Sequence, residues 1–136
     1  MFFRQLNNYD EKIIELINEI KKYNLELTDR EKSIKCILLL NDISDLFLKK
    51  SELLNSQNEY IEKSIYYLKC SIHLTELYIN KKPTKEIISK YYKLVQLYEK
   101  INKPLMAKVM FEKYNFKKQQ FLELSRRRGL FSEGRV

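Results

Sequence analysis

A chain of 136 residues is long enough for one modest hydrophobic core and too short for two large ones. Its 44% hydrophobic and 32% charged residues exclude a disordered chain, and only two glycines and two prolines exclude a sheet with many tight turns. The formal net charge of +8 is unevenly spread: residues 1–60 hold 9 Lys/Arg against 11 Asp/Glu, and residues 61–136 hold 17 against 7, so the basic character belongs to the second half.

Along the chain, Phe2 and Phe3 precede a polar stretch and are expected to fold back on the first helix. Asp10 is placed to cap that helix, which is predicted to run to about Asn24. Ile13, Leu16, Ile17 and Ile20 form its apolar stripe, with Ile14 at the flank. Thr28-Asp29-Arg30-Glu31 has the spacing of a capping box, in which hydroxyl and carboxylate satisfy free backbone donors. A long second helix follows to about Asn55, with Ile34, Ile37, Leu38, Ile43, Leu46, Phe47, Leu53 and Leu54 at helical spacing. Its Cys36 to Leu40 run is apolar all round, which predicts packing on more than one side and a central place in the fold. Ser56-Gln57-Asn58-Glu59 repeats the capping logic for a third helix through about Ile79.

Asn80-Lys81-Lys82-Pro83-Thr84 breaks the chain, and Pro83 suits the first turn of a fourth helix ending near Ile101. Asn102-Lys103-Pro104 makes a second break. A fifth helix is predicted from Pro104 to about Leu124, with Arg126, Arg127 and Arg128 at its negative dipole end and Gly129 available as a left-handed stop. The sequence therefore predicts an all-α protein of about five helices arranged as antiparallel hairpins. A single helical domain is expected over 1–125, with a basic, flexible tail over 126–136. A plain helical bundle is the alternative.

Catalytic chemistry finds little to work with. One histidine, His73, has Leu77 rather than a ligand four residues on, and Cys36 and Cys70 lie far apart inside apolar patterns, so no metal centre is expected. The thiols read as buried and free, in a reducing compartment. Phosphate-cradling loops need glycines, and the two present are Gly129 and Gly134. Asp42 and Asp45 share a helix face without a matching pair elsewhere, and read as solvated or interface residues. The chain is expected to be no enzyme, with no cofactor and no small-molecule substrate. Met1-Phe2-Phe3 leads straight into Arg4 without an apolar signal core, and the longest aliphatic run, Ile37 to Leu40, is too short to cross a membrane. An intracellular, cytoplasmic location is expected.

Tyr91, Leu94, Tyr98, Ala107 and Phe111 fall on the offsets of a tetratricopeptide repeat, so residues 88–121 resemble one unit of that family. Val95 and Tyr114 depart from it by placing bulk where the family prefers small residues. A second, degenerate unit would use Leu40, Ile43, Ser44 and Phe47 with Ile61, Ser64, Ile65, Leu68, Ser71, Ile72 and Leu74. The resemblance implies a right-handed stack of hairpins that binds peptides in a groove lined by the first helix of each pair. Carried over residue by residue, that groove takes Tyr92, Lys93, Gln96 and Lys100, and from the weaker unit Asn41, Asp42 and Asp45. The clamp some members use for a terminal carboxylate is not reproduced.

Fewer than three repeats leave apolar surface for a neighbour to cover. The leading expectation is thus a noncatalytic protein–protein interaction module, an adaptor or small subunit of a larger complex. RNA or ribonucleoprotein binding is the rival, through the basic half and an anion-binding Arg126, Arg127 and Arg128. A three-helix module within residues 56–102 that binds amphipathic tails is a third possibility.

Overall fold

The computed structural model describes residues 2–23, 29–54 and 58–133, with side-chain surroundings for 4–23, 29–54 and 58–128. Over these residues the protein is all-α. Its helices are α1 (Phe2–Lys22), α2 (Arg30–Leu53), α3 (Asn58–Leu74) prolonged by a π-helical turn (Thr75–Ile79), α4 (Lys85–Lys100) and α5 (Pro104–Glu133). They form two compact units, residues 1–81 and 82–136, divided at the Asn80 to Thr84 break.

In the first unit α2 is central, packing on α1, on α3 and on the π turn. Ile13 and Leu16 of α1 meet Ile43 and Phe47 of α2 in a buried cluster, joined by Ile17, Ile20, Tyr60 and Tyr67. The apolar-all-round reading of α2 holds for Cys36, Ile37 and Leu40, which are buried, whereas Leu38 is 57% exposed. Asp10 does not cap α1, because that helix already begins at Phe2. Its carboxylate instead receives the Lys50 ammonium of α2, which also stands 4.2 Å from the Tyr60 ring centroid. The cap of α2 is Asp29, whose Oδ1 accepts from the Glu31 and Lys32 amides at 2.9 and 3.3 Å. Thr28 of the expected capping box, Ser56 of the next one, and the side chains of Phe2, Phe3, Leu130 and Phe131 lie outside the described residues.

α2 and α3 meet across fully buried serines. Ser44 Oγ donates to the Ser64 carbonyl and Ser64 Oγ donates to the Ser44 carbonyl, both at 2.8 Å. Side chains this short reach the opposite backbone only where two helices approach closely, at the lower end of the usual 8–10 Å interaxial range. Ser71, one heptad beyond Ser64, donates to Asn41 Oδ1 at 2.6 Å and continues the seam. The far end of α3 widens into the π turn, in which the Asn80 amide reaches back to the Thr75 carbonyl at 2.9 Å. Arg30 Nη1 donates to the Ile79 carbonyl at 3.3 Å, so the start of α2 satisfies an acceptor at the end of that turn.

In the second unit Thr84 caps α4, its Oγ1 accepting from the Ile87 amide at 3.3 Å. Pro83 therefore precedes the cap and does not occupy the first turn, since the hydroxyl of Thr84 can satisfy a backbone donor and a proline ring cannot. α4 ends in a Schellman arrangement: the Asn102 amide bonds to the Glu99 carbonyl and the Lys103 amide to the Tyr98 carbonyl, at 3.1 and 3.0 Å. This closure needs a left-handed residue, and Asn102 supplies it with φ 58°. Pro104 then opens α5 at a position where no backbone donor is lost.

Ala107 and Met110 are buried and Tyr114 half-buried on one face of α5, which packs on α4. Phe111, expected on that inner face, is 44% exposed at its margin, with its ring 5.8 Å from that of Tyr114. α5 does not stop at Gly129 but continues to Glu133. A glycine inside a helix costs about 1 kcal/mol relative to alanine, which a 30-residue helix absorbs.

Candidate functional site

The outward face of α4 carries the sequence-predicted residues of the second unit. Lys85, Ser89, Tyr92, Gln96 and Lys100 recur every three or four positions and are all exposed, while Lys93 beside them is half-buried. Tyr92, singled out as the tyrosine off the core stripe, is 44% exposed. Its ring lies 5.2 Å from that of Tyr114 on α5. Together they line a cleft of about 340 Å³ with Ile88, Phe121 and Leu122, edged by Lys85 and Lys118. Lys118 Nζ lies 5.7 Å from the Tyr114 ring centroid.

The charge of the chain resides in this unit. Residues 82–136 hold 14 Lys/Arg against 5 Asp/Glu, a net of +9, and residues 1–81 hold 12 against 13, a net of −1. Arg126, Arg127 and Arg128 are exposed, but successive residues on a helix point about 100° apart, so they fan outward and form no single cluster. Arg127 is paired with Glu123 at 2.7 Å.

Asn41, Asp42 and Asp45 belong to the first unit. Asp42 and Asp45 are exposed; Asn41 is half-buried between α2 and α3, where it accepts from Ser71. Its placement is that of a helix-seam residue.

The larger concavity lies elsewhere, in the first unit, and was not anticipated from the sequence. α1 and α3 both lie against α2 without close approach of their backbones to each other. Near Phe47, Tyr60 and Tyr67 aromatic rings occupy the wedge between them, with Phe47 and Tyr67 centroids 5.6 Å apart. Toward the end of α1 the wedge opens into a groove of about 730 Å³. Cys36 and Leu40 lie on the α2 side, Ile17, Ile20 and Lys21 on the α1 side, and Tyr66, Tyr67, Lys69, Cys70, His73 and Leu74 on the α3 side.

Both thiols are free. Burial pushes the Cys36 thiol up. Burial also pushes Cys70 up, against the opposing pull of the Tyr66 hydroxyl and the Lys69 ammonium. Neither is the depressed thiol that nucleophilic chemistry uses. Among the described residues no three His, Cys, Asp or Glu side chains are placed to share a metal ion. No helix among them is long and apolar enough to cross a membrane.

The chain matches no protein-family model, and comparison with characterised proteins and with solved structures likewise finds no match.

The groove residues of α3 had a signal of their own. Tyr67, Cys70 and Leu74 repeat at three and four residues, a second apolar stripe on the side of α3 away from Ile61, Ile65 and Ile72. The stronger aliphatic stripe masks it.

Proposed function

We propose that this chain is a noncatalytic protein–protein interaction module, an adaptor or small subunit of a larger assembly, that engages a protein partner through the outward face of α4. The observation that carries the reading is Tyr92: an exposed aromatic, braced by Tyr114, heading a polar stripe that runs through Gln96 to Lys100. Aromatic anchors braced by neighbours and rimmed by polar residues are what binding surfaces concentrate their energy in.

The hairpin architecture belongs to the same proposal. Contact between Tyr92 and Tyr114, on either side of the Asn102 turn, supports an antiparallel α4–α5 pair, and the reciprocal Ser44–Ser64 bonds support a tight α2–α3 pair with small residues at the crossing. In this reading the pairs are tetratricopeptide-like. Free thiols at Cys36 and Cys70 accord with a reducing, cytoplasmic setting.

Affinity capture with the wild-type chain and with the Tyr92→Ala/Lys93→Glu variant tests the reading. A partner held by the wild type is expected to be lost by the variant; retention of every partner contradicts the α4 assignment. The net +9 of residues 82–136 favours one second reading, RNA bound through phosphate contacts that include Arg126, Arg127 and Arg128. Such binding weakens steeply with salt as counterions are released. Absence of RNA affinity at low salt removes it.

A further inference from the structure

We propose that the groove between α1 and α3 is a second docking site, distinct from the α4 face, and that its occupant is an acidic amphipathic helix of a partner protein. Three helices arranged as two flanks on a central one leave a trough, and the closed end shows how it is otherwise filled: Phe47, Tyr60 and Tyr67 occupy it there. At the open end the corresponding space of about 730 Å³ is lined by half-buried Ile17, Ile20, Tyr67 and Leu74 beside buried Cys36 and Leu40. A helix laid along it covers these with side chains spaced i, i+3 or i+4, and i+7, the pattern by which helices fill apolar grooves.

Charge selects the kind of helix. The ionisable side chains lining the groove are Lys21 from α1, Cys36 from α2, and Lys69, His73, Tyr66 and Cys70 from α3, with no carboxylate among them. An occupant bearing Glu or Asp beside its apolar stripe meets cationic partners on both flanks, and a basic helix meets like charge. The same point counts against a second copy of the chain. Its exposed apolar helix face, Leu105, Val109 and Phe116 on α5, belongs to a unit of net +9 and offers a single carboxylate, Glu112, among them. An acyl chain carrying a carboxylate shares the chemistry, but Tyr66 at the groove's margin is 63% exposed, and the groove does not enclose a tail.

Cys70 is a built-in reporter, because it lines the groove and is only partly buried. The full chain is titrated with a fluorescent synthetic helix that carries Leu at groove spacing and Glu elsewhere. A matched helix with Lys for Glu, oleate, and the chain alone at rising concentration are run beside it. Binding is read by anisotropy and by the alkylation rate of Cys70 mapped by mass spectrometry. The Glu helix is expected to bind and to slow Cys70 alkylation at least tenfold, with the Lys helix at least tenfold weaker. Tyr66→Glu and His73→Glu, both at exposed positions that leave the fold intact by circular dichroism, are expected to weaken the Glu helix about tenfold. Tyr92→Ala is expected to leave it unchanged, which separates this site from the α4 face. Equal binding of the Lys helix, no binding, or binding without Cys70 protection overturns the proposal. So does protection by oleate alone, which assigns the groove to an acyl anion, or protection that grows with chain concentration, which assigns it to self-association.

Discussion

Each unit holds a lysine partly out of water, Lys50 in the first and Lys90 in the second, and the two respond in opposite directions. Burial pulls the Lys50 ammonium down, but the Asp10 carboxylate and the Tyr60 hydroxyl more than offset it, leaving its pKa above the ordinary 10.5. Burial pulls Lys90 down as well, and Glu86 restores only part, leaving it below 10.5. The difference reflects how the units are built. Residues 1–81 balance their charges and match polar groups across helix seams, as in Lys50 with Asp10, Ser44 with Ser64 and Ser71 with Asn41. Residues 82–136 carry 14 basic groups with 5 acidic ones, so positive charge is in surplus. A surplus of this kind costs stability through self-repulsion and is relieved by an acidic partner.

The largest effects are expected in the cores. Ile43 and Leu94 are each almost wholly buried, and Ile43→Ala or Leu94→Ala is expected to cost about 2–5 kcal/mol in urea unfolding, by lost transfer energy plus a cavity. Equal losses would show that both units depend on apolar burial to the same degree. The serine seam sharpens the contrast. Ser44→Leu forces extra volume into a closed helix contact and is expected to cost about 1–3 kcal/mol from overpacking, whereas Ser44→Ala is expected to cost about 1 kcal/mol for a lost hydrogen bond. If leucine is tolerated better than alanine, α2 and α3 are not in close approach. At the α4–α5 turn, Asn102→Ala is expected to cost about 1 kcal/mol, because a Cβ without a polar group disfavours the left-handed region, and Asn102→Gly is expected to be near neutral.

The two lysines give the smallest effects, with opposite signs. Lys50→Met is expected to destabilise by about 1 kcal/mol, discounted because Asp10 is 45% exposed. Lys90→Met is expected to stabilise slightly. The pH dependence follows the same signs. A raised folded pKa makes the Lys50 contribution complete below 10.5 and lost as pH climbs through the higher folded value. The lowered pKa of Lys90 makes its cost present at neutral pH and relieved as pH rises through the folded value toward 10.5. Unfolding curves of both Met variants between neutral pH and about pH 11 check this: the alkaline loss is expected to shrink in Lys50→Met and to deepen in Lys90→Met.

Helix identity was legible because helical spacing is a local property. The stripes Ile13–Leu16 and Tyr91–Leu94–Val95–Tyr98 are buried as their periods require. Cap positions were legible only to within a residue or a turn: Asp29 displaces Thr28, and Thr84 displaces Pro83, since several polar residues near a helix start compete for the same free amides. Asp10 misled for a different reason. A carboxylate near a chain start looks like a cap until a lysine forty positions away claims it. Of the candidate site, the exposure of Tyr92 follows from its register off the core stripe. The α1–α3 groove does not follow from register, because a concavity is made by the divergence of two helices from a third, and no single segment encodes that angle.

Photo-crosslinking in cell extract tests most directly that this chain works by holding other proteins at two separate places. The reactive side chain is introduced at Tyr92, at Tyr66, and as a control at Lys49 on the exposed surface of α2. A protein adduct is expected from position 92, a different adduct from position 66, and none from position 49. Identical labelling from all three, or adducts with nucleic acid alone, rules out two protein-binding places.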